Sequence, residues 1–391
     1  MDHDAPPTPT RPGWGQSLYS GAAGVALLHA VRSHAGEQGR DALRPWAAAM
    51  VRGPILAAPE ACGLYEGAPA VAYVLGFTYM ETAAGAVATL DRHIADVTRR
   101  RLGQAHARID RGALPTLSEY DLISGLTGLG AYHLHRGHTT ELRDVLAYLV
   151  RLTEPITVEG HPLPGWWTGD SPDLRPSRRW PGGHGNFGLA HGAAGPLALL
   201  ATALRHGHTV PGQKQAVTRM CDWFDDWRTG TGARAWWPGL ISPAEHRSGE
   251  PQSPGPGRPS WCYGTPGIAR AQQLAGIALD DHDRRLQAEQ ALAGCLVDDQ
   301  QLAQLTDASL CHGWAGLIQT VSRVAADAID GELAERLPHL NARLDEHLDN
   351  RGLPDGAGLM DGTAGIHLAR LTDPVNTAGT APWDRCLLLA G

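Results

Sequence analysis

The sequence predicts an all-α fold made of helical hairpins, on three observations. A glycine-centred string recurs seven times along the 391 residues. Each copy is followed by apolar side chains at helical spacing, and between copies lie second helical stretches that carry more charge. Little else in the chain shows the alternation that a half-buried strand requires.

The strings are YSGAAGVALL, YEGAPAVAYV, ISGLTGLGAY, AHGAAGPLAL, CYGTPGIARA, CHGWAGLIQT and MDGTAGIHLA, with first glycines Gly21, Gly67, Gly125, Gly192, Gly264, Gly313 and Gly362. A second glycine follows three positions later, except in the second copy, where Ala70 replaces it. Apolar residues such as Val25, Leu27 and Leu28, or Leu197, Leu199 and Leu200, then fall at helical spacing. Pro69, Pro196 and Pro266 stand in what would be the first helical turn, where a missing N–H is tolerated. Each string therefore reads as a loop entering a helix. The more charged stretches at 41–51, 141–153, 214–227, 281–297 and 332–349 supply second helices. Two helices with loops need roughly 40–50 residues. Glycine-rich, apolar helices are expected inside and charged ones outside. Seven inner candidates face six convincing outer ones, because the stretch after Arg370 is short and rich in Pro and Thr. An open solenoid and a closed ring both satisfy this pattern.

Net charge is −8, with 33 Lys and Arg against 41 Asp and Glu. This favours a soluble protein and argues against a nucleic-acid-binding surface. The short basic run Arg99, Arg100, Arg101 reads as a solvated helix end. No uninterrupted apolar stretch reaches about 18 residues, so no membrane span is expected. Residues 1–14 are polar and Pro-rich, without a signal-peptide pattern, and are expected to form a flexible segment ahead of a single domain at 15–391. The six cysteines form no short-range framework, which points to reduced thiols and a cytoplasmic location. Two units are lengthened by loops at about 160–190 and 229–260 that hold Trp166, Trp167, Trp180, Trp236 and Trp237. Such loops either bind a flexible peptide or anchor themselves on their own scaffold.

The residues just before the first glycines are Ser20, Glu66, Ser124, His191, Tyr263, His312 and Asp361. Ser20, Ser124 and Asp361 read as N-caps, whereas His191, Tyr263 and His312 are poor caps. Cys262 and Cys311 each stand two residues before a first glycine, and His312 follows Cys311. If the units repeat in space, two thiols and an imidazole meet at one rim. Those are soft or borderline donors suited to zinc, with a fourth position left open. A buried Cys is ordinarily a small hydrophobe; equal register in adjacent units sets these two apart. Cys62, Cys221, Cys295 and Cys386 read as core thiols, His184 as a loop hydrogen-bonding residue, and His29, His133 and His367 as structural groups within helices.

WCYGTPG, LCHGWAG and GNFGLAHGAAG resemble the signature strings of the lanthionine synthetase C-like family, and DLISGLTGLG and GLMDGTAGIHLAR resemble its glycine repeats. The resemblance runs over about residues 15–370. It implies an α/α toroid of seven inner and seven outer helices, with one zinc held at the mouth by Cys262, Cys311 and His312. It implies His191 as an active-site acid accompanied by Asp121, with Arg258, Trp261 and Tyr263 at the substrate-binding wall. The implied reaction adds a Cys thiol of a dehydrated precursor peptide to dehydroalanine or dehydrobutyrine, forming lanthionine or methyllanthionine. A dehydratase and an exporter are candidate partners in a biosynthetic complex.

The chemistry is consistent with those residues. A free Cys titrates near pH 8.5, so its thiolate is scarce at neutral pH, and coordination to zinc deprotonates it. Addition to the alkene moves charge onto the amide oxygen, after which Cα needs a proton, a task that suits a histidine. Two rivals keep the metal. One adds glutathione to dehydroamino acids; the other is a non-catalytic zinc-containing scaffold for a peptide-modifying complex. A toroidal glycoside hydrolase is disfavoured, since no carboxylate pair stands out and the Cys register is left unexplained.

Overall fold

The computed structural model describes residues 5–9, 11–34, 39–78, 81–173, 177–178, 180–372 and 382–391. Inner and outer helices alternate along the chain. They run α1 (Ala22–His34, inner), α2 (Gly39–Met50, outer), α3 (Ala68–Leu75, inner) and α4 (Glu81–Asp110, outer). After the short α5 (Leu117–Tyr120) come α6 (Leu126–Arg136, inner), α7 (Thr139–Leu152, outer), α8 (Ala194–Arg205, inner) and α9 (Gln213–Asp226, outer). After the short α10 (Pro243–Ser248) come α11 (Thr265–Leu279, inner) and α12 (His282–Cys295, outer). The short α13 (Asp299–Leu302) then precedes α14 (Trp314–Ala326, inner), α15 (Glu332–Arg351, outer) and α16 (Thr363–Leu371, inner).

The inner helices close a ring. α1 packs on α3, α3 on α6, α6 on α8, α8 on α11, α11 on α14 and α14 on α16, and α16 returns to α1. Each of the six outer helices packs on the inner helix before it. The layers differ as their sequences require. In α8 every residue from Ala194 to Ala203 is buried, whereas α15 buries only the stripe Leu333, Leu337, Leu340 and Leu344. The result is an α/α toroid with seven inner helices and, among the described residues, six outer ones. The stretch that reads poorly as a seventh outer helix falls partly on 373–381, outside the described residues, as do residues 1–4 and 10 of the expected flexible segment.

The glycine strings work by close approach. A Cβ at Gly24, Gly128, Gly195, Gly267, Gly316 or Gly365 would collide with the carbonyl oxygen six residues earlier, where the loop crosses the helix entrance. Those earlier residues are Leu18, Leu122, Leu189, Trp261, Leu310 and Leu359, all buried. The helices begin at the glycines, so Gly125 and Gly362 are the N-caps of α6 and α16 and no side chain caps either helix. Ser124 and Asp361 therefore lie one residue outside the capping position expected for them.

Residues 382–391 pack inside the ring. Tyr65 and Tyr73 donate to the Cys386 and Trp383 carbonyls at 2.9 and 2.7 Å. Arg270, 1% exposed, donates to Leu389 O, and Trp261 Nε1 to Leu387 O at 3.1 Å. Asp384 is fully buried and receives Arg323 and Gln319. Among the described residues are four short strands: β1 (Ile156–Val158) pairs with β2 (His161–Leu163), and β3 (Gly185–Asn186) with β4 (Leu240–Ile241). The β3–β4 pair ties the two long loops together. Trp166, Trp167 and Trp237 are buried beneath them, so these three anchor the loops on the scaffold, while Trp180 and Trp236 are half-buried. No helix among the described residues is long and apolar enough to cross a membrane.

Candidate metal centre and active site

Backbone hydrogen bonds stitch neighbouring units together at the rim where the inner helices begin. Leu18 N donates to Tyr65 O (2.9 Å), Leu122 N to Ala190 O (3.1 Å) and Leu189 N to Cys262 O (3.0 Å). Cys262 N donates to Cys311 O (3.3 Å), Cys311 N to Met360 O (2.8 Å) and Met360 N to Tyr19 O (2.9 Å). Between the second and third units Arg101 of α4 makes the link, donating to the carbonyls of Cys62, Ser124 and Ser118. The basic run is thus not wholly a solvated helix end. Arg101 is half-buried against a cavity of about 420 Å³ beside Ser124.

This stitching brings equal register positions together. Donor atoms of Cys262, Cys311 and His312 all lie within 4.8 Å of one another, the one such group of three among the described residues. The Cys262 pKa is pushed down, first by its interaction with Cys311 and against its burial, with help from Ser260, His312 and Arg258. Cys311 is pushed up by the same interaction, by burial and by the Cys262 charge. Two sulfurs and an imidazole nitrogen at this spacing fit a zinc ion. The other four thiols behave differently: burial pushes Cys62 up to about 11 and Cys221, Cys295 and Cys386 up to about 12.

Asp121 is fully buried. Its Oδ1 accepts from Ser124 N and Gly125 N, both at 2.7 Å, and its Oδ2 lies 2.6 Å from His191 Nδ1. The carboxylate therefore anchors the entrance of α6 and orients His191 at once. Burial pulls the His191 pKa down, but the Asp121 hydrogen bond and charge, aided by Cys262, outweigh it and the net shift is upward. The His191 side chain keeps 26% of its surface exposed, so the ring is not sealed from solvent.

The expected wall residues divide. Tyr263 is half-buried, with its hydroxyl accepting from Asn186 Nδ2 at 3.0 Å. Arg258 is half-buried, its charge acts on Cys262, Cys311 and His312, and its buried Nε has no hydrogen-bond partner. Trp261 is not at the wall. It is fully buried, at the register position that Leu18, Leu64, Leu122, Leu189, Leu310 and Leu359 fill in the other units, and it has no face to offer a substrate.

Two residues at the site were missed from the sequence. Tyr19 stands two before Gly21, the register of both ligand cysteines, and its side chain interacts with Cys311. Burial first, then the nearby thiol and Asp361 charges, raise its pKa and keep the hydroxyl neutral. Asp307 lies 3.2 Å from His312 Nε2. That contact raises the His312 pKa, while Asp307, despite partial burial, is held well below the usual carboxylate range by His312 and Ser309. Listing every register position, and not only the one before each glycine, would have exposed Tyr19. Among the other histidines, fully buried His184 holds Asp170 O through Nδ1 (2.9 Å), and His133 bonds Thr98 (3.0 Å) and His138 (3.1 Å).

A closed ring of seven inner helices with this mouth has counterparts among known proteins. The lanthionine synthetase C-like protein family matches residues 12–388, and the chain belongs to that family. Nisin biosynthesis protein NisC of Lactococcus lactis subsp. lactis is 24% identical over 277 residues, 70% of this chain and 65% of NisC. The chain thus spans just under two thirds of that relative's length. The solved structure of nisin cyclase matches with a TM-score of 0.79 at 21% identity, over 97% of this chain and 93% of that one, so the two share a fold.

Proposed function

We propose that this chain is a zinc-dependent cyclase. It adds the Cys thiol of a dehydrated peptide to a dehydroalanine or dehydrobutyrine of that peptide, forming lanthionine or methyllanthionine rings. The observation that carries this reading is the meeting at one rim of the Cys262, Cys311 and His312 group with the His191–Asp121 pair. Family membership and the name of NisC support it. Its setting in this proposal is the cytoplasm, as a single domain over 15–391, with a dehydratase and an exporter as partners.

Cys262, Cys311 and His312 would hold the zinc, and when bound there it supplies a Lewis acid that makes a substrate thiol ionise at neutral pH. The remaining steps belong to the chain itself. As the S–Cβ bond forms, the alkene pair moves toward Cα and the amide oxygen, and Cα must gain a proton. Asp121 accepts from Nδ1–H of His191, so the proton released is the one on Nε2, and a neutral imidazole is left behind. Asp121 cannot turn away, because Ser124 and Gly125 N–H groups hold its other oxygen. Arg258 and Tyr263 border the place where the peptide sits, while Trp261 supports Cys262 from the core.

The test is a peptide carrying one dehydroalanine and one Cys. Zinc-loaded protein should remove the alkylatable thiol without changing the peptide mass. His191→Ala should keep its zinc and slow that loss by about 10²–10⁴-fold. If the thiol stays alkylatable while the same protein adds glutathione to the peptide, the enzyme acts between molecules and the cyclase reading is wrong.

A further inference from the structure

Outside the compact group of donors stands Asp307, with Oδ2 at 3.2 Å from His312 Nε2. It lies six residues before Gly313, and in the fourth unit the same place, six before Gly192, holds Asn186. The two side chains anchor their loops alike. Asp307 Oδ1 accepts from Ser309 N at 2.8 Å, and Asn186 Oδ1 from Gly188 N at 3.0 Å. A Cβ at Gly313 would collide with Asp307 Oδ1, and one at Gly192 with Asn186 Oδ1, so both are pressed against the entrance of an inner helix. Their remaining atoms differ in chemistry. Asn186 Nδ2 donates to the Tyr263 hydroxyl at 3.0 Å, whereas Asp307 presents an anionic oxygen to an imidazole. An amide is enough to anchor such a loop, as Asn186 demonstrates. The carboxylate at 307 therefore answers to His312 and not to the loop.

We propose that Asp307 is the positioning residue of the metal centre, holding the His312 ring through Nε2–H and dedicating Nδ1 to the metal. This rests on the reading of Cys262, Cys311 and His312 as a zinc site. An imidazole that gives one N–H to a carboxylate keeps one tautomer and one ring orientation, and its other nitrogen becomes a stronger donor. Asp307 is not part of the compact donor group, so it acts through His312 and is not itself a ligand. Ser309 reinforces the arrangement, because its Oγ accepts from His312 N at 3.3 Å and so fixes the backbone that carries the ring.

The experiment compares full-length wild type, Asp307→Asn and Asp307→Ala in competition for zinc with a chromophoric chelator, and records imidazole ¹⁵N shifts of the zinc-loaded wild type. Asn keeps the loop anchor and loses only the charge. It should melt like the wild type and bind zinc about 10-fold more weakly, with Ala nearer 100-fold. His312 should carry metal on Nδ1 and a proton on Nε2. Asp307→Asn binding zinc as tightly as the wild type overturns the proposal, because loop anchoring alone would then explain the residue. Metal found on Nε2 overturns it too. A wild type that takes up no zinc is a separate result, which removes the metal reading itself and this inference with it.

Discussion

The Asp121 carboxylate is gripped on one side by two backbone N–H groups and faces His191 Nδ1 on the other, so its charge is fixed beside the imidazole. His191 is active in this proposal when protonated, and Asp121 is what raises its pKa against burial. Asp121→Asn should therefore move the alkaline limb of the kcat/KM profile to lower pH. A limb that does not move would place the proton donor elsewhere. Cys262→Ala, Cys311→Ala and His312→Ala should each lower the zinc content from one per chain and leave the helical circular dichroism intact. Full zinc in all three would sink the metal assignment. Tyr19→Phe should keep the zinc but shift the sulfur-to-metal absorption of the cobalt(II)-substituted protein, because the Tyr19 hydroxyl beside Cys311 favours charge on its sulfur. An unshifted band would mean that the Tyr19 hydroxyl does not touch Cys311 when metal is bound.

At the level of the element, each inner helix is entered through a crossing that has no room for a side chain. Gly365 is pressed by the Leu359 carbonyl and by Leu310 Cβ. Gly365→Ala should cost about 1–3 kcal/mol of stability by overpacking, read from denaturant unfolding. Ala70 shows that the second unit tolerates a Cβ, so Ala70→Gly should cost only about 0.5–1 kcal/mol, as glycine does inside a helix. The α6 helix adds a pH dependence. Burial first, then His138, pulls His133 down to about 3. Between that value and the roughly 6.5 of an unfolded histidine the unfolded chain binds more protons, so stability rises with pH across the window and falls as pH drops through it. His133→Gln should flatten that slope in melting curves recorded from pH 7 to 4. An unchanged slope would show that other groups govern it.

For the molecule as a whole, closure depends on contacts between distant parts of the chain. α16 returns to α1, and residues 382–391 bond to residues of α3, α11 and α14 and to Trp261. Asp384 is fully buried and paired with Arg323, whose side chain is 11% exposed. Removing one partner of such a pair strands the other, so Asp384→Ala should destabilise the fold by about 3–5 kcal/mol. Replacing both by apolar residues of similar volume should restore much of the loss, as a double-mutant cycle would show. A mild effect of the single substitution would mean that the segment is not integral to the ring. Trp261 connects this segment to the mouth, since its indole donates to Leu387 O and the next residue is Cys262.

Local spacing by itself determined the hairpin repeat, the apolar inner and charged outer helices, and the gathering of Cys262, Cys311 and His312. Each depends on an offset of one to three residues from a glycine whose backbone position is sterically forced. The same offsets also held the fate of Trp261, which shares its register with six buried leucines, although a tryptophan beside a ligand cysteine reads more readily as a pocket wall. Asp121 was legible because its motif is local, yet only the fold shows one carboxylate anchoring α6 and orienting His191 together. Tertiary structure alone decided that the hairpins close into a ring and that residues 382–391 enter it. It also decided that Arg101 bridges two units and that Tyr19 and Asp307 stand beside the metal ligands. The physical reason is cumulative geometry. A solenoid and a ring use the same hairpin, and they differ by small rotations between neighbours that no short window of sequence encodes. Tyr19 reaches Cys311 only after those rotations have summed over seven units to bring α16 back to α1.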